Sequence, residues 1–120
     1  MKIKEKGIKT ILFICSANKQ RSKTAEDYFS GKYADIHFLS AGTNSKICER
    51  EGTNPVTIDL LEQADLIFVM ENSHKKDIKS VMNGRLKKEI IVLEIKDIYK
   101  YYQTELIEIL EERLMVYLKP

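Results

Sequence analysis

The amino-acid sequence predicts an α/β protein built on a four-stranded parallel sheet with helices on both faces. Short apolar runs alternate along the chain with longer amphipathic or polar stretches, which is the pattern of strands joined by helical crossovers. The central runs are apolar at nearly every position, as expected for strands covered on both faces. A chain of 120 residues with 43% hydrophobic and 32% charged residues can bury one core of its own. Residues 1–120 are therefore predicted to form a single domain.

Four apolar runs are the predicted strands, and a helix is predicted after each of them. The strands are residues 8–14, 36–40, 66–70 and 89–95. The helices are residues 22–30, a short segment from Pro55, residues 72–86 and a last helix from Thr104. In the last helix, the residues expected to face the sheet recur every three or four positions, and they are Ile107, Leu110, Leu114 and Tyr117.

Turn-forming residues set the limits of these helices. Gly31 is expected to end the first helix. Residues 41–54 have no helical or strand period and are predicted to form a long loop, of the kind that often carries function. Asn54 is expected to cap the second helix, with Pro55 at its first position, and Gly84 to end or interrupt the third.

The stretch with the clearest chemical content joins the first strand to the first helix. The apolar run ends at Cys15, and small or polar residues lead to Arg21 and Ser22. In this geometry the N–H groups of the loop and the helix N-terminus converge on one point and attract an anion. Such a position, next to an arginine, lowers the pKa of a thiol, so we expect Cys15 to be a thiolate near neutral pH.

A thiolate below an anion-binding loop is suited to phosphoryl transfer. Arg21 supplies a planar guanidinium that can bind two phosphate oxygens together, and Cys15 could attack phosphorus to form a cysteinyl-phosphate. Ser22 could donate a hydrogen bond to the thiolate. The predicted phosphate-binding residues are Ser16, Ala17, Asn18, Lys19, Gln20, Arg21 and Ser22. The plain alternative is that Cys15 is a small buried strand residue and Arg21 a surface charge.

Four blocks of the sequence, in order, resemble the low-molecular-weight protein-tyrosine phosphatases, including a shortened bacterial branch of predicted phosphatases. They are residues 15–26, 40–43, 64–71 and 93–99, which read CSANKQRSKTAE, SAGT, ADLIFVME and LEIKDIY. The first block is similar to the family signature C-x-G-N-x-C-R-S-P-x-A-E. The resemblance implies a phosphatase-I-like three-layer α/β/α fold with strand order 2-1-3-4, and metal-independent hydrolysis of phosphomonoesters without a cofactor.

The resemblance also implies a general acid, which would protonate the leaving oxygen. Asp97 follows the fourth strand, so it is expected at the same sheet edge as Cys15, and it aligns with the acid of the family. The alternative is an ordinary surface aspartate in a turn. Asn18 resembles the asparagine that braces the family's loop. Neither histidine is expected at the site: His37 is predicted to be a partly exposed strand residue and His74 a solvent-exposed residue at a helix start.

The sequence departs from the family pattern at four positions. Ala17 stands in place of a glycine and would be strained if its φ were positive. Gln20 replaces the second cysteine of the loop, so the usual disulfide within the loop cannot form. Lys23 and Lys96 replace prolines that stiffen the loop junctions. None of these changes removes a catalytic group.

Three tyrosines follow the proposed acid, at positions 99, 101 and 102. They could form the wall of a cleft for an aromatic phosphoester. Ordinary packing at the start of the last helix is an equal alternative.

Composition excludes several other classes of protein. The net charge of +2 is too small to indicate binding to nucleic acid or to a membrane. No apolar run is long enough for a membrane span or a signal-peptide core. Two cysteines, Cys15 and Cys48, do not make a disulfide framework, and the proposed chemistry needs a reduced thiol. We therefore expect a cytoplasmic protein.

Four functional interpretations remain open. The first is a phosphatase whose partners are a phosphorylated protein or a small phosphoester, with phosphate or a similar oxyanion in the loop. The second is a phosphate-binding or phosphopeptide-binding module with little turnover. The third is a thiol-dependent arsenate reductase, which normally needs two further cysteines where only Cys48 remains. The fourth is a phosphocysteine carrier of the sugar-transport type, which would not need Arg21 or Asp97.

Overall fold

A computed structural model describes residues 7–118 of the chain. Strands and helices follow one another in the predicted order, except that two helices instead of one lie between the second and third strands. They are β1 (Thr10–Cys15), α1 (Arg21–Lys32), β2 (His37–Gly42), α2 (Ser45–Glu51), α3 (Ile58–Gln63), β3 (Leu66–Val69), α4 (Asn72–Met82), β4 (Ile90–Val92) and α5 (Thr104–Leu118).

The four strands are parallel, and their order in the sheet is β2-β1-β3-β4, as the family resemblance implied. Within this order, Cys15 at the end of β1 pairs with Gly42 of β2. On the other side of β1, Ile14 pairs with Val69 of β3, which in turn pairs with Val92 of β4. Because the carboxyl ends of the strands meet at one edge, the loops after β1, β3 and β4 begin close together.

Helices cover both faces of the sheet, also as predicted. Side chains of β1 point alternately to the two faces: Phe13 packs with α1 and α5, whereas Leu12 packs with α3 and α4. On the first face Phe13 stacks on three other phenylalanine rings, those of Phe29, Phe38 and Phe68. Burial on both sides explains why β1 is apolar throughout.

The prediction of an irregular loop over residues 41–54 is wrong. Residues 45–51 form α2, whose first turn is capped by Asn44: its Oδ1 accepts the N–H of Ile47 at 3.1 Å. Gly52 ends the helix with a φ of 71°, which glycine adopts at little cost. Cys48 is the buried residue of α2, so the helix lacks the apolar period by which most helices are predicted.

The predicted start of the second helix at Pro55 is also wrong. Pro55 instead forms an isolated bridge with Gly42, where proline is tolerated because this position lies at the edge of the sheet. The next helix, α3, begins at Ile58. Thr57 caps it, with its hydroxyl oxygen accepting the N–H of Leu60 at 3.2 Å.

Smaller differences concern the helix ends and the buried face of α5. Helix α1 continues past Gly31, and α4 ends before Asn83 and Gly84, whose φ angles are 43° and 76°. The buried residues of α5 include Leu110 and Leu114 as predicted, but Leu106 and Leu118 take the places predicted for Ile107 and Tyr117. In residues 7–118 no helix is both long and apolar enough to cross a membrane.

Candidate active site

The loop of residues 16–20, between β1 and α1, lies at the carboxyl edge of the sheet. Asn18 has a φ of 53°, a left-handed conformation that asparagine tolerates better than most residues. Ala17 is not among the residues with a positive φ. The strain considered for an alanine at this position therefore does not arise, because the loop makes its left-handed turn one residue later.

The loop turns its carbonyl oxygens away from its centre. The carbonyl of Ser16 accepts the N–H of Asn44 at 2.9 Å, and that of Ala17 accepts the hydroxyl of Thr53 at 2.6 Å. Within the described chain, no backbone hydrogen bond uses an N–H group of residues 16–20 as its donor. Helix α1 has no side-chain cap and no acidic residue in its first turn. Its first N–H groups and those of the loop therefore form a place where an anion can bind.

Gly42 allows the loop to pack closely on β2. A Cβ atom at this position would lie 2.5 Å from the carbonyl oxygen of Ser16 and 2.6 Å from the Sγ of Cys48. Cys48 is fully buried behind the loop, with its Sγ 3.5 Å from the carbonyl oxygen of Ala17. A glycine is thus required at position 42 for the loop to take this shape.

Cys15 lies at the base of the loop, with its Sγ 3.0 Å from the Oγ of Ser22. Asn18 orients that serine. The N–H of Asn54 donates to Oδ1 of Asn18 at 3.0 Å, so the other end of the amide is its NH₂, which donates to Ser22 Oγ at 3.0 Å. Ser22 accepts this bond and keeps its own proton for the sulfur of Cys15.

Arg21 is a buried residue, only 2% exposed, so the alternative that it is a surface charge is wrong. Its Nη1 donates to Oε2 of Glu71 at 2.6 Å and to the carbonyl oxygen of Ile95 at 2.8 Å. Its Nε lies 3.7 Å from Oδ1 of Asp97. Because both hydrogen bonds come from Nη1, the Nε and Nη2 edge, which faces Asp97, makes no hydrogen bond of ordinary length within residues 7–118 and can bind an anion there.

Asp97 lies over the loop, in the segment that follows β4. Its side chain is 60% exposed and lines a cavity together with the nucleophile loop. The lining residues are Cys15, Ser16, Ala17, Lys19, Gln20, Arg21 and Asp97. The cavity has a volume of about 90 Å³, several times the roughly 10–15 Å³ that a cavity needs to hold one water molecule, so it has room for a phosphoryl group.

His74 also belongs to this site, and the prediction that it is solvent-exposed is wrong. It is 2% exposed, with its Nε2 2.9 Å from Ser16 Oγ. Its Nδ1 accepts the N–H of Glu71 at 3.0 Å. The N–H of His74 in turn donates to the backbone carbonyl oxygen of Glu71 at 3.1 Å, and the two residues form a capping box at the start of α4, with histidine in the usual place of Glu or Gln.

The charges around these two residues explain their protonation. The pKa of Glu71 is lowered, chiefly by the hydrogen bond from Arg21. The pKa of His74 is lowered because burial disfavours the charged ring, and the charge of Arg21 adds to this effect. The carboxylates of Glu71, Asp77 and Asp97 act in the opposite direction. We therefore describe Glu71 as ionised and His74 as neutral near pH 7.

The tyrosines predicted as a possible cleft wall pack elsewhere. Tyr99 is half-buried against the core. The hydroxyl of Tyr101 donates to Asp27 of α1 at 2.6 Å, and the ring of Tyr102 lies edge-on to that of Tyr28. In the segment after β4, the residue that lines the cavity is Asp97.

Two of the positions that depart from the family pattern lie at the surface. Lys23 pairs with Asp27 at 3.0 Å and with Glu26 at 3.6 Å, which holds its side chain along the outside of α1. Lys96 is exposed beside Asp97. Neither lysine lies among the cavity residues.

Known proteins resemble this chain in fold and not at the level of family models or curated sequences. No protein-family model matches the chain, and no curated protein sequence matches it. Solved structures do match. AmsI, a tyrosine phosphatase of Erwinia amylovora, matches with a TM-score of 0.74 and 22% identity, over 94% of this chain and 95% of its own. SP-PTP, a low molecular weight protein tyrosine phosphatase of Streptococcus pyogenes, matches with a TM-score of 0.71 and 16% identity, over 93% and 95%.

A third match is the YwlE arginine phosphatase of Bacillus subtilis, in a mutant with a phosphorylated active-site serine. Its TM-score is 0.62 at 23% identity, over 88% of this chain and 95% of its own. The protein therefore has the fold of the low-molecular-weight protein tyrosine phosphatases, over almost its whole length. This confirms the fold that the sequence resemblance implied. Among residues 7–118 no three His, Cys, Asp or Glu side chains are grouped to hold a metal ion.

Proposed function

We propose that this protein is a phosphomonoester hydrolase of the protein-tyrosine-phosphatase type, acting as a single domain through a cysteinyl-phosphate on Cys15. The observation that carries the proposal is the position of Cys15 Sγ. It lies at the base of a cavity with room for a phosphoryl group, below loop N–H groups that have no backbone acceptor within residues 7–118. An oxyanion held by such donors is stabilised most as its charge develops in the transition state.

In the first step the phosphoryl oxygens bind to the N–H groups of residues 16–20 and to the Nε and Nη2 edge of Arg21. The thiolate of Cys15 attacks phosphorus, the bond from phosphorus to the ester oxygen breaks, and Asp97 gives its proton to the leaving oxygen. Asp97 suits this role because it lines the cavity on the side open to solvent, where the leaving group must depart.

In the second step water attacks the phosphocysteine and restores the enzyme. Asp97, now a carboxylate, accepts a proton from the water, and the bond from phosphorus to sulfur breaks to release phosphate. The departing thiolate is stabilised by the hydroxyl of Ser22, whose proton is directed to the sulfur by the Asn18 amide. This assigns a transition-state role to each of these two residues.

The small size of the cavity is compatible with substrates that insert only a phosphoryl group. A volume of about 90 Å³ admits the phosphoryl group and leaves the rest of the substrate outside. Phosphorylated side chains of a protein and small phosphoesters both meet this condition. The matched structures include tyrosine phosphatases and an arginine phosphatase. Phosphotyrosine is therefore the first candidate substrate, and phosphoarginine is a second one, in which the bond that breaks joins phosphorus to nitrogen and Asp97 would protonate the leaving nitrogen.

A second candidate is a phosphate-binding or phosphopeptide-binding module with little turnover. It is favoured by the exposure of Asp97, 60% of whose side chain is open to solvent, since a loosely held acid gives weak catalysis. An arsenate reductase is less well supported. Beyond Cys15 it would have only Cys48, which is fully buried against the carbonyl oxygens of the loop.

The test is hydrolysis of an aryl phosphate by the wild type, Cys15→Ser and Cys48→Ala. We expect wild type and Cys48→Ala to release phosphate, Cys15→Ser to be inactive, and acid quenching of the wild type to trap a phosphocysteine. Iodoacetate should label Cys15 ahead of the buried Cys48, and phosphate or vanadate should slow the labelling. Turnover by Cys15→Ser would exclude the cysteinyl-phosphate, and phosphate binding without turnover would support the binding module.

A further inference from the structure

We propose that His74 is a positioning residue that directs the hydroxyl proton of Ser16 into the phosphate-binding cavity. The inference rests on the proposed function, because it gives the loop a side-chain donor in addition to its N–H groups. Neither the fold comparison nor the sequence pattern assigns a role to this histidine. Its contacts with Ser16 and Glu71 are what carry the argument.

The hydrogen bonds of His74 fix its tautomer. The N–H of Glu71 can only donate, and it lies 3.0 Å from Nδ1 of His74. Nδ1 must therefore carry a lone pair, and in the neutral ring the proton is on Nε2. Nε2 lies 2.9 Å from the Oγ of Ser16, so the histidine donates to the serine.

The serine hydroxyl is thereby oriented. Because Ser16 Oγ accepts a bond from His74, its own proton must point away from the ring. Ser16 lines the cavity that also contains Cys15 and Arg21, so an oxygen of a bound phosphoryl group can accept that proton. A hydroxyl that accepts one hydrogen bond becomes a better donor in the next. The series of hydrogen bonds that runs from the N–H of Glu71 through His74 and Ser16 thus ends at the anion.

The surroundings keep the ring in the required form. Arg21 of α1 acts on it, as do Glu71 at the N-cap of α4, Asp77 within α4 and Asp97 of the segment after β4. Burial and Arg21 favour the neutral ring, and they outweigh the three carboxylates, so that the pKa of His74 is lowered. A protonated ring would also place an N–H of Nδ1 against the N–H of Glu71. Near neutral pH His74 therefore donates a hydrogen bond from Nε2 and accepts one at Nδ1.

Two substitutions separate this role from simple capping of α4. In His74→Asn the amide oxygen lies near the position of Nδ1 and can accept the N–H of Glu71, but the side chain is too short to reach Ser16. In His74→Gln the longer amide can reach Ser16. If His74 acted only as a cap, Asn would substitute for it. If it positions Ser16, Gln should restore more function than Asn.

The experiment compares wild type, Ser16→Ala, His74→Asn, His74→Gln and the double variant Ser16→Ala/His74→Asn. His37→Asn serves as a matched control, because His37 is an exposed histidine of β2. The measurements are kcat and KM for an aryl phosphate, and the dissociation constant of inorganic phosphate, each for variants with cooperative thermal unfolding. We expect Ser16→Ala and His74→Asn each to lower kcat/KM and weaken phosphate binding by about five- to tenfold, the effect of one hydrogen bond.

The double variant decides whether the two residues act as one unit. We expect it to be no worse than either single variant, because both changes remove the same donor. Any of three results would overturn the inference. The first is a double variant whose loss of kcat/KM is the product of the two single losses, and the second is equal activity of His74→Asn and wild type. The third is unchanged phosphate affinity in Ser16→Ala. The last result would mean that the hydroxyl points into the neighbouring groove lined by Asn44 and Asp77.

Phosphate binding keeps the inference separate from the proposed function. If the wild type binds phosphate without hydrolysing esters, the proposed function fails, while the phosphate affinities of the variants still test Ser16 and His74. If the wild type neither hydrolyses nor binds, both are overturned. Nitrogen NMR of the imidazole gives a readout independent of either: we expect the Nε2–H tautomer from pH 6.5 to 8, and an Nδ1–H tautomer would overturn the inference.

Discussion

The Nη1 atom of Arg21 donates a 2.6 Å hydrogen bond to Oε2 of Glu71, across the junction of α1 and α4. A second bond from Nη1, to the carbonyl oxygen of Ile95, is 2.8 Å long. Together the two bonds fix the plane of the guanidinium. Its Nε lies 3.7 Å from Asp97, which lines the same cavity, so Arg21 connects the anion site to the segments that follow β3 and β4.

We predict that Arg21→Lys lowers kcat/KM by about 100-fold or more, the usual cost of losing an oxyanion donor. A lysine retains the charge but cannot bond to Glu71 and to two phosphate oxygens at once. The control is Arg50→Lys, at an exposed position of α2, which should leave kcat/KM within twofold. Activity of Arg21→Lys within a few fold of wild type would place Arg21 outside the phosphate site.

We predict that Asp97→Asn slows aryl phosphates with poor leaving groups more than those with good ones. A general acid must carry a proton when the leaving oxygen departs, so the variant should also lose the decline of turnover at high pH. Asp59→Asn, which changes an exposed carboxylate of α3, is the matched control. Equal slowing of both substrates by Asp97→Asn would mean that the acid lies elsewhere, and would favour the binding module.

We predict that Gly42→Ala disrupts the loop without removing any catalytic group. The added methyl group would lie 2.5 Å from the carbonyl oxygen of Ser16, and overpacking of this kind costs about 1–3 kcal/mol. We expect a lower Tm and at least a tenfold lower kcat. Gly31→Ala is the control, because a Cβ there meets no atom within 4 Å and alanine favours the helix. Similar behaviour of the two variants would argue against close packing at Gly42.

We predict that the folded state loses stability as pH falls below about 6.5, the ordinary pKa of histidine. The pKa of His74 is lower in the folded state than in the unfolded state. Below pH 6.5 the unfolded chain therefore binds the proton more readily, and this lowers the free energy of unfolding. The pKa of Glu71 is lowered from 4.5, so the contribution of this carboxylate to the stability of the folded state is lost only in more acidic solution. Unfolding measured between pH 7.5 and 5.5 should show a decrease in Tm that His74→Asn reduces and His37→Asn does not.

The contiguous part of the site could be predicted from the sequence, because its chemistry and its local geometry come from one stretch. The end of an apolar strand at Cys15 and the start of a helix near Ser22 place the loop at the sheet edge. The positions of Arg21 and Asp97 beside it follow from the parallel topology. The element order could be predicted for a similar reason, since each strand is marked by a short, mostly apolar run.

The features of the fold and site that the sequence did not predict depend on contacts between distant residues or on helix caps. Helix α2 has one buried residue, Cys48, and its only local signals were Asn44 and Gly52 at its ends. His74 lies in a polar stretch, so its burial follows from the packing of α4 against the loop and not from any apolar pattern. Glu71 belongs to a block that resembles the family, yet its bond to Arg21 could be seen only in three dimensions.

The anion-binding loop of residues 16–20 is short in sequence, yet its shape depends on contacts with the rest of the chain. Thr53 bonds to Ala17 over a separation of 36 positions, and Ile95 to Arg21 over 74. Contacts so far apart form late, because closing long loops costs entropy before it is repaid. A peptide that contains only β1, the loop and α1 would therefore carry the complete sequence motif but would not hold the loop in its anion-binding shape. During synthesis, the nucleophile loop should acquire its shape only after β4 has emerged and joined the sheet.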